Sequence, residues 1–114
     1  MIHAYFEQCE GALTGCSVIG HASSRQGEQA RILCAAVSSA MELTANTLTE
    51  CFGAELEIIN EPSERNALNR LVFRLKKPDP VHSELLHGLL IHFTNLAEDF
   101  HGGIAVDIVE APDR

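Results

Sequence analysis

No stretch of the 114 residues approaches the ~20 consecutive apolar positions that a membrane-spanning helix requires. The first ten residues, MIHAYFEQCE, carry no basic region followed by an apolar stretch, so no signal peptide is expected. The expected location is the cytoplasm, where thiols stay reduced and the four cysteines need not pair. Basic residues are scarce: 8 Lys and Arg face 16 Asp and Glu, a formal net charge of -8. A phosphate-gripping surface relies on clustered Lys and Arg, and the only basic cluster is short, Arg70 to Lys77, so direct nucleic-acid binding is not expected. An acidic body instead attracts a basic partner. Cys-x-x-Cys and His-x-x-x-His spacings are both missing, and no glycine-rich turn leads into Lys and Ser or Thr, which argues against a metal centre and a phosphate loop. His82, His87 and His92 recur every five residues, which turns each about 140° from the last on a helix. Metal and cofactor are accordingly both expected to be none. Internal repeats, low-complexity segments and linkers are absent as well, and residues 1–114 read as a single domain.

What is present is patterned. Ile2, Ala4 and Phe6 alternate within Ile2 to Cys9, as in a strand with one buried face. Glu10 to Gly15 reads as a turn, and Cys16 to His21 as a returning strand. Ser23 to Gln29 is polar and contains Gly27, so it reads as a loop or a frayed helix start. From Ala30 to about Phe52 there is neither Pro nor Gly, and apolar residues recur around much of the helical circumference, which predicts a central, buried helix stopped by Gly53. Ala54 to Ile59 and Leu68 to Leu75 read as strands around a turn near Pro62. Pro78 and Pro80 then lead into a helix from Val81 to about His101, with Leu85, Leu86, Leu89, Leu90, Phe93, Leu96 and Phe100 at helical intervals. Ile104 to Val109 is a last strand. The order β-β-α-β-β-α-β predicts an α+β fold, two helices packed on a mostly antiparallel sheet.

The stretch GHASSRQGEQARILCAAVS, Gly20 to Ser38, joins one histidine to one cysteine across a polar loop. A thiolate nucleophile is favoured near a helix N-terminus and beside an imidazolium, and this reading puts Cys34 about one turn inside the central helix with His21 at the end of the preceding strand. Judged locally and by composition alone, Cys34 reads rather as a buried core residue, since free cysteine behaves as a small hydrophobe, and His21 as a loop or strand-end residue with no catalytic part. Ser38, one turn after Cys34, either supports the sulfur or bonds back to its own helix.

The string GHA, followed by a variable loop and then ILCAAVSSA, resembles the signature of the ribosomal-processing cysteine protease family, Prp. The resemblance implies a small homodimeric cysteine endopeptidase that removes the N-terminal extension of a large-subunit ribosomal protein, number twenty-seven. It implies His21 as general base, Cys34 as nucleophile, and Ala22 to Ala30 as a flap over the substrate. The family usually has Asp three residues before the cysteine, where this chain has Arg31. That replacement weakens activity, shifts the supporting role to Glu28, or marks a catalytically impaired relative that serves as a ribosomal-protein binding module; a nearby cation also stabilises a thiolate.

Overall fold

The computed structural model describes residues 1–20, 27–61 and 70–112. His21, most of the expected flap and the expected turn near Pro62 lie outside the described residues. Five strands and two helices follow in the order β1 (Ile2–Cys9), β2 (Ala12–Ile19), α1 (Gly27–Asn46), β3 (Leu56–Glu61), β4 (Arg70–Leu75), α2 (Pro80–Asp99) and β5 (Ile104–Glu110). The α+β architecture is the expected one. The sheet runs β3-β4-β2-β1-β5, antiparallel throughout except for the parallel pairing of β1 with β5.

Three local expectations are corrected. The hairpin turns on Glu10 and Gly11 alone, both in the left-handed region (φ 51° and 82°), and β2 begins at Ala12 rather than Cys16. A two-residue turn of that hand matches the twist of the flanking strands, which lets pairing start immediately. The central helix begins at Gly27 rather than Ala30, so Gly27 to Gln29 follow the helix-start reading of that segment and not the loop, with Glu28 in the first turn where the helix dipole favours an acid. Its last turn, Thr47–Cys51, widens to the π form, and the Phe52 amide donates to the Thr47 carbonyl at 3.2 Å. Nor is α1 apolar-buried all round: Leu33, Val37 and Met41 face the sheet, while Ile32 and Leu43 are 52% and 68% exposed.

Cross-strand partners share a face, so register decides what is buried. The row Ile58, Phe73, Cys16, Phe6, Ile108 crosses the whole sheet on the helix side. Its three central members are buried because the helices lie over the middle strands, where Phe93 of α2 meets Phe6 edge-on at 5.9 Å and Met41 of α1 lies 3.7 Å from the Cys16 sulfur. Its two ends are open, Ile58 at 55% and Ile108 at 50% exposure.

Helix α2 starts where it does for local reasons. Asp79 caps it, accepting from the Val81 amide at 2.8 Å, and Pro80 occupies the first turn, where its missing N–H costs nothing. The buried Ser83 hydroxyl donates to the Leu13 carbonyl at 2.7 Å, fastening this end of the helix to β2.

Candidate active site

Cys34 lies seven residues into α1, about 10 Å along the axis from the helix start. The expected one-turn placement is therefore corrected to about two turns, where the helix dipole has little hold on a thiol. The reason is the earlier start of the helix at Gly27. The sulfur's residue is half-buried and packs against the edge of the core.

Cys34 opens into a pocket of about 80 Å³ that it shares with Val18, Gly20, Val37, Ser38, Met41 and Leu71. Of the proposed supporting residues, Ser38 lines this pocket from the next turn of α1 and is exposed. Arg31 is exposed one turn earlier on the neighbouring flank, as the spacing of three residues dictates. Glu28, six residues before Cys34, lies about a third of the way around the helix from it and does not line the pocket.

His21 itself is outside the described residues, but its chain neighbour is informative. Gly20 lines the Cys34 pocket at the end of β2. Its φ of 111° is one that side chains rarely adopt, and a Cβ there would sit 2.6 Å from the Met1 carbonyl oxygen. The glycine of GHA is thus demanded by backbone packing against the N-terminus, and the tight fit sets where the chain leaves β2.

The other thiols are poor candidates for the same chemistry. Cys16 is fully buried, and that burial, with the Glu7 charge added, pushes its thiol far above the usual range. Cys9 and Cys51 are exposed, at the first hairpin and at the end of α1. Among the described residues no three His, Cys, Asp or Glu side chains are grouped so as to hold a metal ion. A larger groove, about 520 Å³, runs between α1 and α2 past Ala36, Ala40, Leu43, Gly88 and Leu89. It occupies the flank of α1 away from Cys34 and holds no thiol.

One wall of the Cys34 pocket has no signal in the local sequence. Leu71 comes from β4, and no local motif marks it; only its register partnership with Val18 brings it under Cys34.

A family model for the cysteine protease Prp matches residues 1–105. The chain belongs to the Prp cysteine protease family. It is therefore a cysteine-type peptidase, a hydrolase, as the GHA and CAAVS pieces led us to expect. Among solved structures, SMU.848 from Streptococcus mutans superposes with a TM-score of 0.82 at 26% identity, covering 97% of this chain and 96% of its own. The essential ribosomal processing protease Prp from S. aureus, in complex with a covalently linked product peptide, superposes with a TM-score of 0.77 at 17% identity, covering 96% of this chain and all of its own. The same S. aureus protease in complex with a substrate peptide gives a TM-score of 0.71, at the same identity and coverage. At that identity the likeness to the S. aureus Prp is one of fold. No curated protein matches the chain.

Proposed function

We propose that this Prp-family chain is an endopeptidase that removes the N-terminal extension of large-subunit ribosomal protein number twenty-seven, with Cys34 as nucleophile and His21 as general base. The observation that carries the reading is the pocket in which a half-buried Cys34 meets Gly20, the residue joined directly to His21. Membership of the Prp family supports the chemistry, and the peptide complexes of the S. aureus Prp support a peptide substrate. The net charge of -8 suits attraction to a basic ribosomal protein. The site of action in this reading is the cytoplasm, and the working form is a homodimer; no described helix is long and apolar enough to cross a membrane.

In the proposed reaction His21 takes the Cys34 proton, and the thiolate adds to the scissile carbonyl carbon. The tetrahedral intermediate collapses as the C–N bond breaks, and the imidazolium returns its proton to the leaving amine. Water, deprotonated by His21, then attacks the thioester, the C–S bond breaks, and the sulfur recovers a proton. The free amides of the first turn of α1, residues 27–30, lie one to two turns before Cys34, about 6 to 10 Å along the axis, so this reading looks for the oxyanion donors elsewhere. Ser38 and Arg31 flank the sulfur and are the supporting residues of this reading.

Arg31 favours one second reading, that of a catalytically impaired relative that grips the ribosomal protein without cutting it. One experiment separates the two. The purified protein and a Cys34→Ala control are incubated with the host's own version of that ribosomal protein, and its N-terminus is followed by intact mass. A discrete truncation with the wild type alone establishes the protease and its nucleophile; an uncut substrate that co-elutes with both proteins establishes the binding module. Arg31→Asp is then the variant expected to restore cleavage.

A further inference from the structure

Strand β3 is the last of its sheet, paired on one side only with β4 among the described residues. Its partners Leu75, Phe73 and Leu71 belong to the helix side, so Leu56, Ile58 and Asn60 face that side too. Leu56 is half-buried against the core, whereas Ile58 and Asn60 are exposed. Helix α2 packs against β2 and β5, and α1 reaches β2 and β4 through Met41, Val37 and Cys34. Ile58 is left 55% exposed in the same row as the buried Phe73. An open apolar side chain on an edge strand is one that proteins ordinarily avoid.

The orientation of α1 connects this ledge to the thiol. Ala36, Ala40 and Leu43 face α2, and Cys34 and Ser38 occupy the opposite flank, toward β4 and β3. Leu71 forms the floor beneath Cys34 and is the register partner of Asn60, and Ile58 is the next helix-side residue along β3, about 7 Å further on. The surface therefore runs from the sulfur over Leu71 to the uncovered edge of the sheet. Ile108, the counterpart at the other edge, has similar exposure but borders β1 and lies away from the Cys34 pocket.

We infer that β3 is the specificity strand: an extended peptide leaving the Cys34 pocket lies along it, and Ile58 contacts a large apolar side chain of that peptide. The inference rests on Cys34 marking the reacting position. Side chains on one face of an extended peptide repeat about every 7 Å, so the contacted residue stands roughly two or three positions from the scissile bond. The unpaired edge of β3 offers main-chain N–H and C=O groups to the same peptide, the mode of recognition in which a ligand adds a strand to a sheet.

The test reads binding separately from cleavage. A fluorescent peptide spanning the junction of the extension and the mature ribosomal protein is titrated by anisotropy against Cys34→Ala protein, then against the same protein carrying Ile58→Glu or Ile108→Glu. Both added changes fall on exposed side chains and leave the core untouched. Ile58→Glu is expected to weaken binding about tenfold, with kcat/KM falling in parallel in the wild-type Cys34 background, and Ile108→Glu to change neither. Placing Lys at successive apolar positions of the peptide restores affinity for Ile58→Glu at one position, which identifies the contacted residue. Unchanged affinity in Ile58→Glu, equal loss in Ile108→Glu, or no binding of the peptide to the parent protein overturns the inference. Failure of the wild type to cleave a peptide that it binds through Ile58 overturns only the protease reading.

Discussion

Arg74 reaches across Gly15 to hold Glu7: its Nε lies 2.6 Å and 2.9 Å from the two Glu7 carboxylate oxygens, on the sheet face away from the helices. Gly15 is the register partner of both residues, and a Cβ there would meet the Phe73 carbonyl oxygen at 2.8 Å and the Arg74 Cγ at 3.0 Å. The absent side chain is what lets the guanidinium pass. Glu57 on β3 adds a second, longer contact at 3.3 Å, so one arginine ties three strands, β1, β3 and its own β4, across β2. The hydrogen bond to Glu7, more than anything else, holds the Arg74 guanidinium protonated even more firmly than usual.

Removing Arg74 leaves the buried Glu7 carboxylate without its cation. Arg74→Met is expected to lower stability by about 2 to 3 kcal/mol, below the range for fully buried pairs because the arginine is partly exposed. A lower urea midpoint with an unchanged slope reads this out. Glu61→Ala, which breaks the solvent-exposed pair with Arg70, is expected to cost under ~0.5 kcal/mol in the same assay.

At Gly20 the same logic predicts a coupled loss. Gly20→Ala forces a side chain into a left-handed backbone and against the Met1 carbonyl, at a cost of about 1 to 3 kcal/mol. Under the proposed mechanism it also displaces His21, so kcat falls while the variant remains folded by circular dichroism.

The four thiols should separate by position. Brief iodoacetamide treatment near pH 7, followed by peptide mapping, is expected to modify Cys34 first, the exposed Cys9 and Cys51 more slowly, and Cys16 only after unfolding in urea. Above the ordinary thiol range the unfolded chain releases the Cys16 proton that the folded protein retains. The unfolded state then binds fewer protons than the folded one, so stability falls with rising pH there, and Cys16→Ala flattens that part of the curve.

Phe93→Ala removes the ring that meets Phe6 under α2. A loss of about 3 to 5 kcal/mol is expected, with the melting temperature as the readout.

Most of the fold and half of the site were legible without coordinates, because they rest on local physics. Alternation placed β1; Pro78 and Pro80 with the helical spacing of the leucines placed α2; Gly53 placed the end of the α1 region. The GHA and CAAVS pieces marked the family. Where the reading slipped at the hairpin and at the start of α1, other local features outweighed the ones that were read. The first two turn residues allowed pairing earlier than the glycines suggested, and α1 gained a turn because Glu28 suits its start. The periodicity of α1 overstated its burial because apolar residues facing α2 and the sheet edge look the same in sequence as those facing the core.

The amino-acid sequence by itself determined the element order and the family, since each is written in short-range spacing that needs no partner. Only the tertiary structure decided which strand lies beside which, and hence that Leu71 floors the Cys34 pocket, that Arg74 passes over Gly15 to Glu7, and that Ile58 stays exposed at the sheet edge. Those relations depend on cross-strand register and on where two helices run out over five strands, and both are set by packing between segments that no local pattern connects.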